Sequence, residues 1–370
     1  MRTFVLIAAI FGCSFSYSQE DSLRSKDVDE IVIKVIRKKE IAYSDSRHYI
    51  LDFQVGSTGT YLLLNRFRRY HLYALNNSMQ PEIKIEIMFH PKALYQDCAG
   101  ELYILSKDSM YQFEKQKNEL LITNTYPISR YDVFLKNCVA TNSEALIFKT
   151  LGYNNQSTQF YQKHKYNGMS SEIYRIQDSS TLRSVKETQQ DLVNEEKRLL
   201  RTYGRNKNYR APTWEDRTQE GLPQSDAIRE IRNHLSRQQF FTDFIIKPYY
   251  NPLFVLDDTT YIFDHVNSKM VRLDNHRREL DKVEISYHNE RKWKGEMHLD
   301  AGSGVFYSVQ EVHGAQIFGL LAMDSIEIKK RTKLTKHAYP EKVIVFKGYA
   351  YYIYRQYCDD NLNKLFRQRL

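Results

Sequence analysis

The chain has 370 residues, a formal net charge of +9 and four cysteines, with 42% hydrophobic and 13% aromatic residues. That length exceeds what one small core can serve and suits two domains or one large β or α/β domain, and four scattered cysteines are too few for a disulfide scaffold. The basic residues are dispersed, as in Arg66, Arg68 and Arg69 and again in Lys329, Lys330 and Arg331, which excludes a dense nucleic-acid arm and leaves mild attraction to an acidic envelope polymer or lipid head group.

The first element is MRTFVLIAAIFGCSFSYSQE. It has a basic Arg2, an apolar core from Phe4 to Phe11, and small residues with Ser16 and Ser18 at the positions a signal peptidase requires. We expect a signal peptide over residues 1–18, a mature chain from Gln19, and export to the periplasm or cell surface. The apolar run is shorter than the roughly 20 residues needed to cross a bilayer, and no later run is longer, so the mature chain is expected to have no transmembrane span. A second reading stays open, because Ile10, Phe11, Gly12 and Cys13 resemble the lipobox of bacterial lipoproteins, which implies lipidation of Cys13 and an outer-membrane anchor. Cys98, Cys138 and Cys358 follow the leader. They allow at most one internal disulfide, their spacing excludes a paired CxxC metal knuckle, and buried small side chains are the expected state of all three.

Next comes IVIKVIR, residues 31–37, a strand with no neighbour to pair with. YILDFQV, TYLLLNRF, RYHLYAL and EIKIEIMF then form one unit of short strands over residues 49–89. A second unit covers about 93–125, and a third about 131–177 through CVATN, ALIFKT, TQFYQKH and EIYRI. Residues 181–241 break this rhythm. Leu182, Val185, Leu192, Leu199, Leu200 and Tyr203 recur at helical spacing, with Gly204 placed to end the helix. Ser225 can cap a second helix whose apolar side holds Ile228, Ile231, Leu235 and Phe240. The polar, Pro-containing stretch between them reads as a surface loop carrying Tyr209 and Trp214, aromatic types enriched where partners dock. The fourth strand unit starts near Asp243, the fifth spans 296–335, and the last shows only three strands, EKVIVFK, GYAYYIYRQ and NKLFRQRL.

The units repeat. Tyr103 and Tyr261 each begin an apolar triplet, and the interval from Met110 to Leu120 equals that from Met270 to Leu280. Strands this short, rich in Tyr, Phe, Ile and Val and separated by turns, predict an all-β protein, because a parallel sheet would need a helix between successive strands. Outside the insertion and leader the six units average about 47 residues, within the roughly 40 to 50 of a propeller blade. The unpaired first strand and the three-stranded last unit would complete each other. The expectation is therefore an all-β, six-bladed β-propeller closed by an N-terminal strand, a single domain over 19–370 with a helical hairpin insertion at about 181–241. A two-sheet sandwich is the alternative, and it leaves the period and the matching deficits unexplained.

The blades, the leader and the YILDFQV opening resemble the six-bladed β-propeller proteins exported by Bacteroidetes. The resemblance covers most of residues 30–370 outside the insertion and implies fold and compartment, with no diagnostic catalytic motif. Separately, VDEIVIK, residues 28–34, resembles the acidic strand-forming segment near the plug of outer-membrane TonB-dependent receptors, which implies work beside such a receptor.

No reaction centre is evident. Asp257 and Asp258 are neighbours that a strand would point to opposite faces, so turn aspartates are expected. His265, His276, His288, His298 and His313 show no HxH or HExxH pairing. Gly302 and Gly304 in DAGSGV read as a hairpin turn, and Ser303 has no catalytic partner in the sequence. No cofactor, metal ligand or catalytic residue is expected. The function that follows is a noncatalytic binding or scaffold module of the cell envelope holding a peptide, glycan or protein partner. The alternatives are a propeller hydrolase or lyase acting at the central channel and a subunit of an outer-membrane receptor assembly.

Overall fold

The computed structural model describes residues 40–152, 157–203, 226–240, 248–334, 337–354 and 364–370. The short apolar runs form six four-stranded antiparallel sheets. The first blade is β2 (Tyr49–Gly56), β3 (Gly59–Arg66), β4 (Arg69–Leu75) and β5 (Pro81–Ile87). The second is β6 (Ala93–Gln96), β7 (Leu102–Leu105), β8 (Ser109–Gln116) and β9 (Glu119–Pro127), and the third β10 (Cys138–Thr141), β11 (Ala145–Leu151), β12 (Ser157–His164) and β13 (Ser170–Gln177). The fourth is β14 (Leu253–Leu256), β15 (Thr259–Asp264), β16 (Lys269–Leu273) and β17 (Glu279–Glu284), and the fifth β18 (Trp293–Asp300), β19 (Val305–Val312), β20 (Ala315–Leu321) and β21 (Ile328–Lys333).

The sixth blade holds β22 (Val343–Phe346), β23 (Tyr349–Ile353) and β24 (Lys364–Arg369), and its outermost strand is β1 (Glu40–Ser44), from the other end of the chain. β1 runs antiparallel to β24 with Glu40 opposite Arg367 and Ser44 opposite Lys364. The ring is thus a six-bladed β-propeller closed by an N-terminal strand. The closing strand is EIAYS, whereas the segment expected to close it, residues 31–37, lies outside the described residues. EIAYS suits the position because Ala42 and Tyr43 enter the apolar cluster that β2 and β3 share with Tyr351, Ile353 and Leu365.

Burial follows from blade stacking. The second strand of a blade is covered on both faces by its neighbours, so β3, β15 and β19 are buried almost throughout and read as continuous apolar runs. The outermost β9, β17 and β21 are largely exposed and carry charge, which blunts their free edges against pairing with another chain. One apolar cluster fills each of the six seams between blades. Five of these hold at least eight buried residues each, while the seam between the second and third blades holds three, Tyr103, Met110 and Leu135.

That thin seam carries a disulfide. Cys98, in the turn after β6, is bonded to Cys138, the first residue of β10. This corrects the expectation of buried free thiols for these two, and Cys358 lies outside the described residues. The physical reason is that Cys98 and Cys138 meet at the inner edges of adjacent blades, where the apolar filling is thinnest. Buried carboxylates join other seams. Asp52 accepts from the amides of Phe53 and, across the seam, Leu94 (2.7 Å), and from Lys342 Nζ (2.9 Å) of the segment leading into the sixth blade. Asp300, fully buried, accepts from the amides of Lys347 (2.7 Å) and Gly348 (2.6 Å) in the turn between β22 and β23.

The insertion is two helices, α2 (Ser179–Tyr203) and α3 (Asp226–Phe240), following a short α1 (Ile128–Val133) between the second and third blades. Val185, Leu192 and Leu199 are buried as their spacing requires. Across the pair, Glu195 Oε2 meets His234 Nδ1 (3.2 Å) and Arg237 Nη1 (3.0 Å). Phe240, expected on the apolar side, is 57% exposed, because it ends the helix. Gly204 and Ser225 lie outside the described residues.

Two measurements follow. Tyr43→Ala should lower the unfolding free energy by about 3 kcal/mol, as for other large core truncations, while Ile41→Ala on the exposed face of β1 should leave it within about 0.5 kcal/mol; urea titrations read both. Cys98→Ser should cost roughly 2–4 kcal/mol, since the bridge closes a loop spanning 40 residues, and dithiothreitol should reproduce the loss in the wild type but add nothing to the variant.

Candidate functional site

In each sheet the chain descends the innermost strand and returns, so the links from one blade's outermost strand to the next blade's innermost strand gather on one side of the ring. The turns between second and third strands lie on that side too. This linker face carries α1 and the inserted α2 and α3. It is also where propeller geometry gathers loops around the axis.

Between the fourth and fifth blades the linker face holds a histidine and aromatic cluster. His265 follows β15, Tyr287 and His288 form a 3₁₀ turn after β17, Trp293 opens β18, and Tyr250 precedes β14. The His265 and His288 rings stand 5.1 Å apart and those of His265 and Trp293 4.6 Å apart. His265 Nδ1 donates to the Tyr250 carbonyl (2.5 Å), which leaves Nε2 to accept from the Tyr287 hydroxyl (2.8 Å). The Met297 amide donates to Tyr250 Oη (2.9 Å). Burial lowers the His265 pKa to about 4, opposed by the Tyr250 carbonyl and helped by the nearby charges of His288 and Lys149. Burial likewise raises the Tyr250 and Tyr287 hydroxyls above their ordinary range. With both ring nitrogens engaged, His265 acts as a neutral brace between blades. Two buried polar atoms of the cluster, His288 Nδ1 and Trp293 Nε1, have no hydrogen-bond partner among the described residues.

A second row lies on β18, where alternate residues share a face. Glu296 stands between His298 (3.1 Å) and Lys294 (3.1 Å) and is held down to about 2, by His298 foremost, against the effect of burial. Among the described residues no group of three or more His, Cys, Asp or Glu side chains is placed to hold a metal ion.

The remaining expectations separate. Asp257 and Asp258 do form a turn, with φ of 47° and 59°, and Asp258 Oδ1 accepts from the Ser143 amide (2.9 Å) of the third blade. Gly302 and Gly304 lie in the turn between β18 and β19, and Ser303 Oγ donates to Asp300 (2.5 Å), an aspartate already committed to the neighbouring blade. His276 and His313 sit in turns on opposite sides of the ring, away from the cluster. Cys13, Tyr209 and Trp214 lie outside the described residues. Sequence spacing alone missed the His265 and His288 pairing, because the two are joined by blade geometry. Once the strands are in register, one falls in a turn and the other in a linker on the same face.

No protein-family model matches the chain, and no curated protein matches it. Among solved structures it is similar to an inactive variant of virginiamycin B lyase from Staphylococcus aureus, at 9% identity over 90% of this chain and 98% of that one, with a TM-score of 0.32. It is also similar to regucalcin, a calcium-binding protein from Agrobacterium tumefaciens, at 12% identity over 88% and 91% of the chains (TM-score 0.35), and to a luciferin-regenerating enzyme at 8% identity over 91% and 94% (TM-score 0.38). The fold assignment rests on the strand order and ring closure themselves.

The cluster sets a pH dependence. His265 is depressed in the folded chain from its ordinary 6.5 to about 4, so below pH 6.5 the unfolded chain takes up a proton that the folded one refuses. Stability should therefore be full above pH 6.5 and fall as the pH drops toward 4, by about 3 kcal/mol from this residue. His265→Gln should flatten that part of the profile, read by urea unfolding at stepped pH.

Proposed function

We propose that the protein is a noncatalytic binding module of the cell envelope, exported by its leader and holding a peptide, glycan or protein partner on the linker face of the ring. The observation that carries this reading is the placement of exposed large apolar side chains. Phe67, Met88, Val133, Leu151 and Tyr339 all stand on the linker side, in links, turns or strand ends spread over several blades. The inserted helices rise from the same side, and their connecting segment carries Tyr209 and Trp214, proposed partner anchors. Exposed apolar residues also stand elsewhere, with Tyr166 and Met169 on the opposite face and Leu121, Ile122 and Leu280 on outer strands, but the five on the linker face share it with the loops best able to form an interaction surface. The Cys98 to Cys138 bridge suits an oxidising compartment outside the cytoplasm, which supports periplasmic or cell-surface residence.

Photo-crosslinking in the native host tests this. A benzophenone side chain placed at Val133 or Tyr339 should give a discrete adduct, and one at Tyr166, exposed on the opposite face, should give none. Equal labelling at both faces, or none at the linker face, would count against the reading.

A further inference from the structure

The linker-side edge of the first blade has a composition that the ring does not need. Strand register lines up Tyr49 beside Asn65, Arg66 opposite Arg69, and Tyr70 opposite Ile87, which brings Met88 next to Arg69. Tyr49, Arg66, Phe67, Arg68, Arg69 and Met88 thus follow one another along the edge, and Arg47 stands just before Tyr49. All are exposed, with Phe67 at 91% and Met88 at 89%. Among the described residues no ion pair engages the guanidinium of Arg47, Arg66, Arg68 or Arg69; the side-chain acceptors at this edge take backbone amides instead, Asp45 Oδ1 that of Arg47 (2.7 Å) and Asn65 Oδ1 that of Arg68 (3.1 Å). The nearby Asp45 is taken up by His48 (2.8 Å) and the Tyr43 hydroxyl (3.0 Å).

The hairpin tip is also strained. Phe67 and Arg68 occupy left-handed backbone, with φ of 49° and 68°, a pair of positions that Asn-Gly fills with least strain. A phenyl ring at such a tip stabilises nothing within the fold, since it is almost wholly exposed. A row of apolar side chains interleaved with unpaired guanidiniums fits a boundary where phosphate charge gives way to hydrocarbon within roughly 5–10 Å. An acidic protein groove would satisfy the arginines and leave Tyr49, Phe67 and Met88 without a role.

We propose that this edge is a peripheral membrane contact, in which Phe67 enters the head-group region of an anionic bilayer while Arg47, Arg66, Arg68 and Arg69 lie against the lipid phosphates. It takes Phe67 and Met88 from the exposed set on the linker face and leaves Val133, Leu151 and Tyr339 for a protein, peptide or glycan partner.

Vesicle sedimentation with the full chain tests it. The protein should bind vesicles of phosphatidylglycerol and phosphatidylcholine in equal parts, less tightly as salt rises, and should not bind phosphatidylcholine alone. Arg66→Ala with Arg69→Ala should weaken binding about 25-fold, since each basic residue near an anionic surface contributes about fivefold. Phe67→Gly should weaken it at least about tenfold through lost apolar burial, while its unfolding midpoint stays level or rises because glycine relieves the backbone. The same variant should keep wild-type retention on a heparin column, and Tyr166→Gly on the opposite face should bind vesicles as the wild type does. Binding to neutral vesicles as strong as to anionic ones, no vesicle binding, retention on heparin alone, or unchanged affinity in Phe67→Gly would each overturn the proposal.

Discussion

The pairing of β1 with β24 is the constraint on which the rest of the ring depends. Without it the sixth blade has three strands and an open edge, and the cluster shared by Tyr43, Phe53, Leu62, Tyr351 and Leu365 loses one wall. Joining the two ends of the chain makes the closing seam the one with the greatest loop-closure cost, so its contacts must outweigh more lost chain entropy than any other seam. It also has the largest buried cluster of the six, and the Asp52 to Lys342 contact spans the same junction.

The other seams use different means to the same end. Five rely on apolar filling, and the thin one between the second and third blades has a covalent link in its place. Asp300 and Asp258 hold turns of adjacent blades through backbone amides, which lets neighbouring sheets keep a fixed angle without further bulk at the crowded centre. Such carboxylates are spent on architecture. The groups we propose for recognition lie on the linker side, where turns are free to vary without disturbing the packing.

Much of this was legible in the sequence. The Tyr-led triplets at 103 and 261 and the matching intervals after them marked the blade repeat, because a second strand covered on both faces must be apolar at nearly every position. The helical insertion was legible for the same reason, through Val185, Leu192 and Leu199. The identity of the closing strand was not, since EIAYS is only five residues long and its place depends on a partner more than 300 positions away, whereas IVIKVIR has the longer apolar run. The disulfide and the His265 cluster were hidden likewise, because both join residues from different blades or linkers whose approach is set by the ring. The exposed edge at Phe67 was visible only as scattered basic residues until strand register placed Tyr49, Arg66, Phe67 and Met88 side by side.

The proposed recognition surface draws on links and turns of several blades, so it depends on a closed ring to hold those blades in fixed positions. Amide hydrogen exchange of the peptide covering Glu40–Ser44, followed by mass spectrometry in the native state, tests closure most directly. If β1 completes the sixth blade, its amides should be protected to the same degree as those of Lys364–Arg369, and the two segments should open together as denaturant is added. Exchange of Glu40–Ser44 at the rate of a free peptide, with β24 still protected, would contradict it.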